Sequence, residues 1–192
     1  KGFETGFGSA AVTPKIETKD DPFIRQFRAL GFNVLGKSLL PEFGFNATTE
    51  PAHDRPTLNP WNIGFSSGAS SGGASALVAS GAVPIAHGND GGGSIRIPTS
   101  CCGLVGLKPS RGRHIKPAPA RALPIDLISE GVLTRTVRDT AYYYHASEAI
   151  YQNKNLRPIA HLLNASKRRL RIGLILESAT GDTVHPEVVL AT

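Results

Sequence analysis

Three consecutive glycines followed by a serine, in the run HGNDGGGSIRIPTS at residues 87–100, constrain this chain more than any other feature. Each glycine costs backbone entropy on folding, so three in a row mark a place where the backbone must turn tightly or be approached closely. Upstream, residues 66–75 are almost wholly Ser, Gly and Ala, a composition shared with flexible linkers. The continuation ASALVASGA at 74–82 is uncharged and long enough for a buried helix of about two turns. Pro84–Ala86 then predicts a short buried strand ending at the glycine loop. A Gly/Ser turn, a small-residue helix, a strand, a glycine turn and Ser94 follow one another as parts of a tightly packed core, not of a linker.

The flanking segments read as alternating elements. In DDPFIRQFRAL, residues 20–30, Phe23, Ile24, Phe27 and Leu30 share one helical face, with Asp20 or Asp21 before Pro22 as the cap. Gly31 ends that helix, and Phe32–Gly36 predicts a short strand. Gly103–Lys108 predicts another strand, and Pro109 with Gly112 a turn. Thr134–Ile150 predicts a helix with Val137, Ala141, Tyr144 and Ala149 toward the core and Arg135, Arg138 and Asp139 outward. Arg171–Leu176 predicts a strand, and HPEVVLAT at 185–192 the first turns of a helix. Strands alternating with helices imply an α/β domain. A helix that opens at the last residues carries the expectation that the chain is truncated at its C-terminus.

Composition narrows the function. With 192 residues, 40% hydrophobic and 19% charged, the chain is of globular type and can bury a sizeable core. No run approaches the ~18 uninterrupted apolar residues of a membrane span, so no membrane role is expected. The net charge of +6 owes much to Lys167–Arg171, a charged lead-in to an apolar run. The second basic stretch (Arg111, Arg113, His114, Lys116 and Arg121) has no interleaved aromatics for base stacking, which weighs against nucleic acid. Six scattered histidines with no i, i+4 pair and no CxxC give no metal set. The two cysteines, Cys101 and Cys102, are adjacent and read as buried small hydrophobes in a reducing compartment, hence a cytoplasmic expectation.

Several chemistries compete for the glycine loop. Residues 88–96 lack the lysine of a phosphate loop, and neither GxGxxG nor a ribose-binding acid about 20 positions on is present, so no nucleotide cofactor is expected. Successive Gly amides can curl into a concave donor surface that receives an anion. A serine at its edge can then attack a carbonyl while the amides hold the oxyanion. Equally, Gly91–Gly93 can be a tight turn, with Ser94 capping a helix over Ile95–Cys101. Two GxSxG matches, GFSSG at 64–68 and GASSG at 68–72, follow a stretch with Pro60 inside that makes a poor strand for a nucleophile elbow. There is no SxxK.

Taken whole, FSSGASSGGASALVASGAVPIAHGNDGGGSIRIPTSCCGLVGLKPSRGR resembles the amidase signature family. The serine segments 24 positions apart, the GSIR turn, VLGKSLLPEFG at 34–44, GVLTRTVRD at 131–139 and HPEVV at 185–189 all take part, so nearly the whole chain is covered. The resemblance implies a mixed β-sheet core flanked by helices on both faces and hydrolysis of amides by a Ser–cis-Ser–Lys triad. It implies Ser94 as nucleophile, Ser70 as bridging serine after a cis Ala69–Ser70 peptide, and amides of Gly91, Gly92, Gly93 and Ser94 as oxyanion hole. It further implies Asp90 and Arg96 as residues that hold the loop in shape, with Ser71 beside the relay. The expected partners are a small-molecule amide and the remainder of the same amidase domain.

Ala69 stands where the family usually has Gly, and Asn89 and Gly91 replace usual threonines. Lys1, Lys15, Lys19 and Lys37 do not match the family's catalytic lysine, which the resemblance puts upstream of residue 1. Residues 1–192 are therefore expected to be the core part of one amidase domain, truncated at both ends and inactive alone. A glutamine-amidotransferase subunit acting on misacylated tRNA is an alternative. That branch reads GSIRQP and SLDQIG-P, whereas Ile97 follows Arg96 here and SEGVLTR fills 129–135. A non-catalytic binding module that kept the fold is another.

Overall fold

The computed structural model describes residues 1–159, 169 and 171–191. They divide into two compact units, Lys1–His161 and Leu162–Thr192. In the first unit, a small antiparallel pair, β1 (Glu4–Thr5) and β2 (Lys15–Ile16), precedes helix α1 (Pro22–Ala29). The Asp21 carboxylate caps α1 by accepting the Phe23 amide at 3.0 Å, Pro22 opens it, and Gly31 follows its end at φ +87°. Phe23, Gln26 and Phe27 are its buried face.

The segment predicted as a strand at 32–36 carries no strand pairing among the described residues. Phe32 instead stacks on Phe27 with ring centroids 4.3 Å apart, so the side chain joins the aromatic core and the backbone is not drawn into a sheet. A 3₁₀ turn at Glu42–Gly44 leads into the Ser/Gly segment and helix α2 (Gly72–Ala79). The helix starts two residues earlier than its apolar run suggests. A Cβ built on Gly73 would lie 2.5 Å from the Leu39 carbonyl oxygen, so only glycine lets these backbones meet.

Strand β3 (Ile85–Asp90) runs well past its expected end at Ala86 and delivers Asp90 directly to the three glycines. After α3 (Arg96–Cys101) come β4 (Val105–Gly106), a short α4 (Ala118–Arg121), β5 (Ser129–Thr134) and α5 (Val137–Ile150). The sheet order is β3-β5-β4, and each pairing is antiparallel, with Asp90 opposite Ser129 and Val105 opposite Thr134.

Central β5 is buried along its whole length, and its side chains alternate between two cores. Val132 packs with Phe23, Phe27, Tyr143 and Tyr144, while Leu133 packs with Ala74 and Val78. Helices thus cover both faces of the sheet, as expected for the α/β class. Because β5 is flanked by strands and sandwiched by helices, it lacks the polar/apolar alternation that would mark it in the sequence. Its last residue, Thr134, was expected to begin the following helix. That helix begins instead at Val137, capped by Thr136, whose hydroxyl accepts the Asp139 amide at 3.0 Å. Its buried face is Thr140, Tyr143, Tyr144 and Ser147, while Val137 is exposed.

In the second unit, residues 171–176 carry no strand pairing among the described residues, contrary to expectation. Ile172, Leu174 and Ile175 there are exposed. Helix α6 (Pro186–Ala191) occupies the expected place. Lys167, Arg168 and Leu170 of the basic lead-in lie outside the described residues.

The close approach at Gly73 makes a prediction. Gly73→Ala will lower stability by roughly 1–3 kcal/mol, because the added carbon meets fixed backbone. Gly36→Ala, where nothing lies within 4 Å of the new carbon, will be near neutral. Equilibrium urea unfolding of both variants checks the difference.

Candidate active site

Strand β3 and helix α3 are joined by Gly91–Ile95, and the join is closed by one carboxylate. Asp90 is fully buried. Its Oδ2 accepts the Ile95 and Arg96 amides, both at 3.3 Å, and the Arg96 Nε at 2.9 Å, while Oδ1 accepts Arg96 Nη2 at 3.0 Å. The guanidinium is thus held on both oxygens of the carboxylate. Lys108, two residues beyond β4, brings its ammonium to the other side: it donates to the Asp90 carbonyl oxygen, donates to the Leu127 carbonyl at 2.9 Å, and lies 3.5 Å from Asp90 Oδ1. Burial pushes the Asp90 carboxyl up, but the Arg96 guanidinium and the two amides together outweigh it and hold the pKa at about 2.

Bracing at both ends forces the loop into a narrow turn. Gly93 has φ +142°, a backbone state that favours glycine, and its carbonyl accepts the Ile97 amide at 2.7 Å to start α3. The N-cap position falls on Ile95, which makes no side-chain cap bond. Ser94 therefore lies before the cap position, and the expected capping role is not what holds α3. Ser94 is half-buried, Gly91 half-buried, Gly92 exposed and Gly93 buried.

The Ser/Gly segment docks on this loop's helix. The peptide bond Ala69–Ser70 is cis, as the resemblance implied. A Cβ on Gly68 would lie 2.8 Å from Pro98 Cα, which puts the residue preceding Ala69 against the backbone of α3. Thr49 Oγ1 donates to the Gly68 carbonyl at 2.8 Å, and Ser75 Oγ to the Ser67 carbonyl at 3.2 Å, fixing the segment from both sides. Ser70 is buried, with its hydroxyl 3.5 Å from the position a Cβ on Gly44 would take. Ser71 Oγ and the Ile95 side chain converge on Gly88 of β3, where a Cβ would meet them at 2.8 and 3.3 Å. The two serine segments, far apart in sequence, therefore share a wall of β3 and α3.

Of the residues singled out in the sequence, Asp90 and Arg96 are in direct contact, and Ser71 lies against Gly88, as does Ile95, the neighbour of Ser94. In the sequence Lys108 stands only as part of the GLKPSRGR end of the stretch that carries the family resemblance. A lone charge in the otherwise uncharged run CCGLVGLKPS was the available signal, since a lysine there needs a buried acceptor. Behind the sheet, His87 Nε2 lies 2.5 Å from Glu130 Oε2, a cross-strand pair that sequence reasoning missed. His114 is buried among the Phe23, Tyr143 and Tyr144 rings. Burial above all, with His87 and Arg113 nearby, lowers its pKa to about 4.

Fold and site define an α/β protein organised around a cis-serine turn and an acid-braced glycine loop. A family model described as Amidase matches residues 1–192, and the chain belongs to that family. It is 48% identical over 181 residues to the protein AmiC of Mycobacterium tuberculosis, covering 94% of this chain and 38% of that protein. To the 6-aminohexanoate-cyclic-dimer hydrolase of Paenarthrobacter ureafaciens it is 41% identical over 182 residues, covering 90% and 37%. Among solved structures, a bacterial aryl acylamidase of the amidase signature enzymes superposes with a TM-score of 0.67 at 38% identity, covering 76% of this chain and 30% of that one. The chain thus spans less than two-fifths of the length of these relatives. Among the described residues no helix is long and apolar enough to cross a membrane.

Two acid-sensitive steps follow from the buried groups. His114 resists protonation when folded, so its contribution is complete above its unfolded value of 6.5 and is lost as pH falls to about 4, roughly 3 kcal/mol. Asp90 adds a second step, complete above 3.8 and lost as pH falls through about 2, roughly 2 kcal/mol. Urea unfolding from pH 7 to 2 will show the lower step vanish in Asp90→Asn while the upper one stays. An unchanged lower limb would contradict the clamp.

Proposed function

We propose that the protein containing this chain hydrolyses a carboxylic amide of a small molecule through a serine acyl-enzyme. Ser94 Oγ attacks the carbonyl carbon, and its proton passes to Ser70 Oγ as Ser70 gives its own proton to a neutral lysine amine supplied from outside residues 1–192. The carbonyl oxygen becomes an oxyanion received by main-chain amides among Gly91, Gly92, Gly93 and Ser94. Collapse of the tetrahedral intermediate breaks the C–N bond, and the proton returns along the same relay to the departing amine. Water then attacks the acyl-Ser94 ester by the same route, releasing the acid and restoring the serine.

The observation that carries this reading is the bracing of the loop. Amides stabilise a developing charge only if they are already aimed when the charge appears, because reorientation during the reaction cancels the gain. Asp90 holds both the end of β3 and the first amides beyond Ser94, leaving four residues between fixed points. Ser71 takes a supporting place beside the relay, and Arg96 keeps Asp90 charged. The family relatives add weight to amide chemistry without naming this protein's substrate. We take residues 1–192 to be part of one amidase domain that acts with the remainder of that domain. The unbridged Cys101 and Cys102 suit a reducing compartment, and we assign the protein to the cytoplasm.

Fluorophosphonate labelling of the full-length protein tests the reading. Wild type will be labelled at Ser94, Ser94→Ala will not, and Ser94→Ala will lose at least about 1000-fold in kcat/KM on a simple anilide. Residues 1–192 alone will show no turnover. Labelling elsewhere, or turnover by Ser94→Ala, would overturn it, and absence of labelling in wild type would favour a binding module.

A further inference from the structure

We infer that Lys108 is a positioning residue for the oxyanion hole, acting through the Asp90–Gly91 peptide. This rests on the acyl-enzyme reading above and adds to it a group that neither touches the substrate nor belongs to the proton relay.

The basis is how the Lys108 ammonium is used. It has three protons and faces three oxygens: the Asp90 carbonyl, the Leu127 carbonyl and Asp90 Oδ1. The contact with the main-chain carbonyl carries the inference. Among the described residues only Ala69–Ser70 is cis, so the Asp90–Gly91 peptide is trans, with its C=O and N–H antiparallel within one plane. Fixing the Asp90 oxygen therefore fixes the direction of the Gly91 N–H. Donation to that carbonyl also polarises the shared peptide and makes the N–H a stronger donor.

Arg96 does not do this. Among the described residues its guanidinium donates to the Asp90 carboxylate and to no main-chain carbonyl, and so sets where Ile95 and Arg96 begin α3. The two cations divide the loop, with Arg96 fixing its far end and Lys108 the first peptide of the glycine run. Lys108 is itself anchored, since the Leu127 carbonyl it holds lies two residues before β5. Gly91 carries no side chain to restrict that peptide, and the Ile128 side chain lies 3.6 Å from where its Cβ would be. Without the lysine, the plane is free to rotate.

The test uses full-length protein and an alkyl fluorophosphonate, whose attack by the serine also passes through an oxygen anion. In Lys108→Met, kinact will fall about 10–100-fold, less than the ~100–1000-fold cost of deleting a whole donor. KI will stay within about threefold, and the fraction of protein that labels to completion will be unchanged. On an anilide the same variant will lose kcat and keep KM. Should Lys108→Met not fold, Lys108→Gln, which keeps a single amide group, is read by the same split. A wild-type kinact in the folded variant, a loss confined to KI, or a drop only in the labelled fraction overturns the inference. Ser94→Ala run in parallel separates the two claims: if it still labels, the acyl-enzyme reading falls and this one with it. If it is silent while Lys108→Met labels at the wild-type rate, the inference about Lys108 alone falls.

Discussion

One buried carboxylate organises the centre of this molecule. Asp90 ends a strand, and its oxygens bind the amides that begin the next helix, so strand, glycine loop and helix become one rigid unit. A charge removed from water is tolerated only when its partners replace the lost hydration. Here two amides, a guanidinium and an ammonium do so, and the resulting low pKa keeps the group ionised throughout the physiological range. The loop's glycines can be unrestrained by side chains because its two ends are not free to move.

The rest of the unit supplies the frame for that clamp. Strand β5 holds β3 in register, with Asp90 opposite Ser129, and is itself pinned between the aromatic cluster on one face and the small-residue helix α2 on the other. Tyr144 spans the layers, with its hydroxyl donating to the Leu107 carbonyl at 2.9 Å, one residue before Lys108. Packing in the α5 layer is thereby linked to the cation that holds the Asp90 carbonyl. Gly68 lies against Pro98 of α3, and Gly72 and Gly73 of α2 lie against Thr49, Ser67 and Leu39, so the Ser/Gly segment is seated between these backbones.

Much of this was legible in the sequence, for identifiable reasons. Helix α1 was visible because its cap, its N-terminal proline and its apolar spacing all agree, and α2 because a run of small uncharged residues between turns has few other uses. The cis-serine turn and the loop-holding roles of Asp90 and Arg96 came only through the family resemblance, since no local rule predicts either. Strand β5 was missed because a strand buried on both faces loses its period of two, and its first residues, Ser129 and Glu130, look polar in isolation. The strand read into 32–36 failed because tertiary aromatic packing claimed Phe32. Lys108 went unassigned because its acceptors are main-chain carbonyls, which the sequence does not display.

The braced loop is proposed as an anion-receiving surface aimed at Ser94 and served by Ser70. A crystal structure of the full-length protein phosphonylated at Ser94 tests it most directly. The phosphoryl oxygen is expected within about 3.2 Å of at least two amide nitrogens among residues 91–94, with the Ser70 hydroxyl in hydrogen-bond reach of Ser94 Oγ. A phosphoryl oxygen turned to solvent, or a Ser70 hydroxyl out of reach of Ser94, would contradict it.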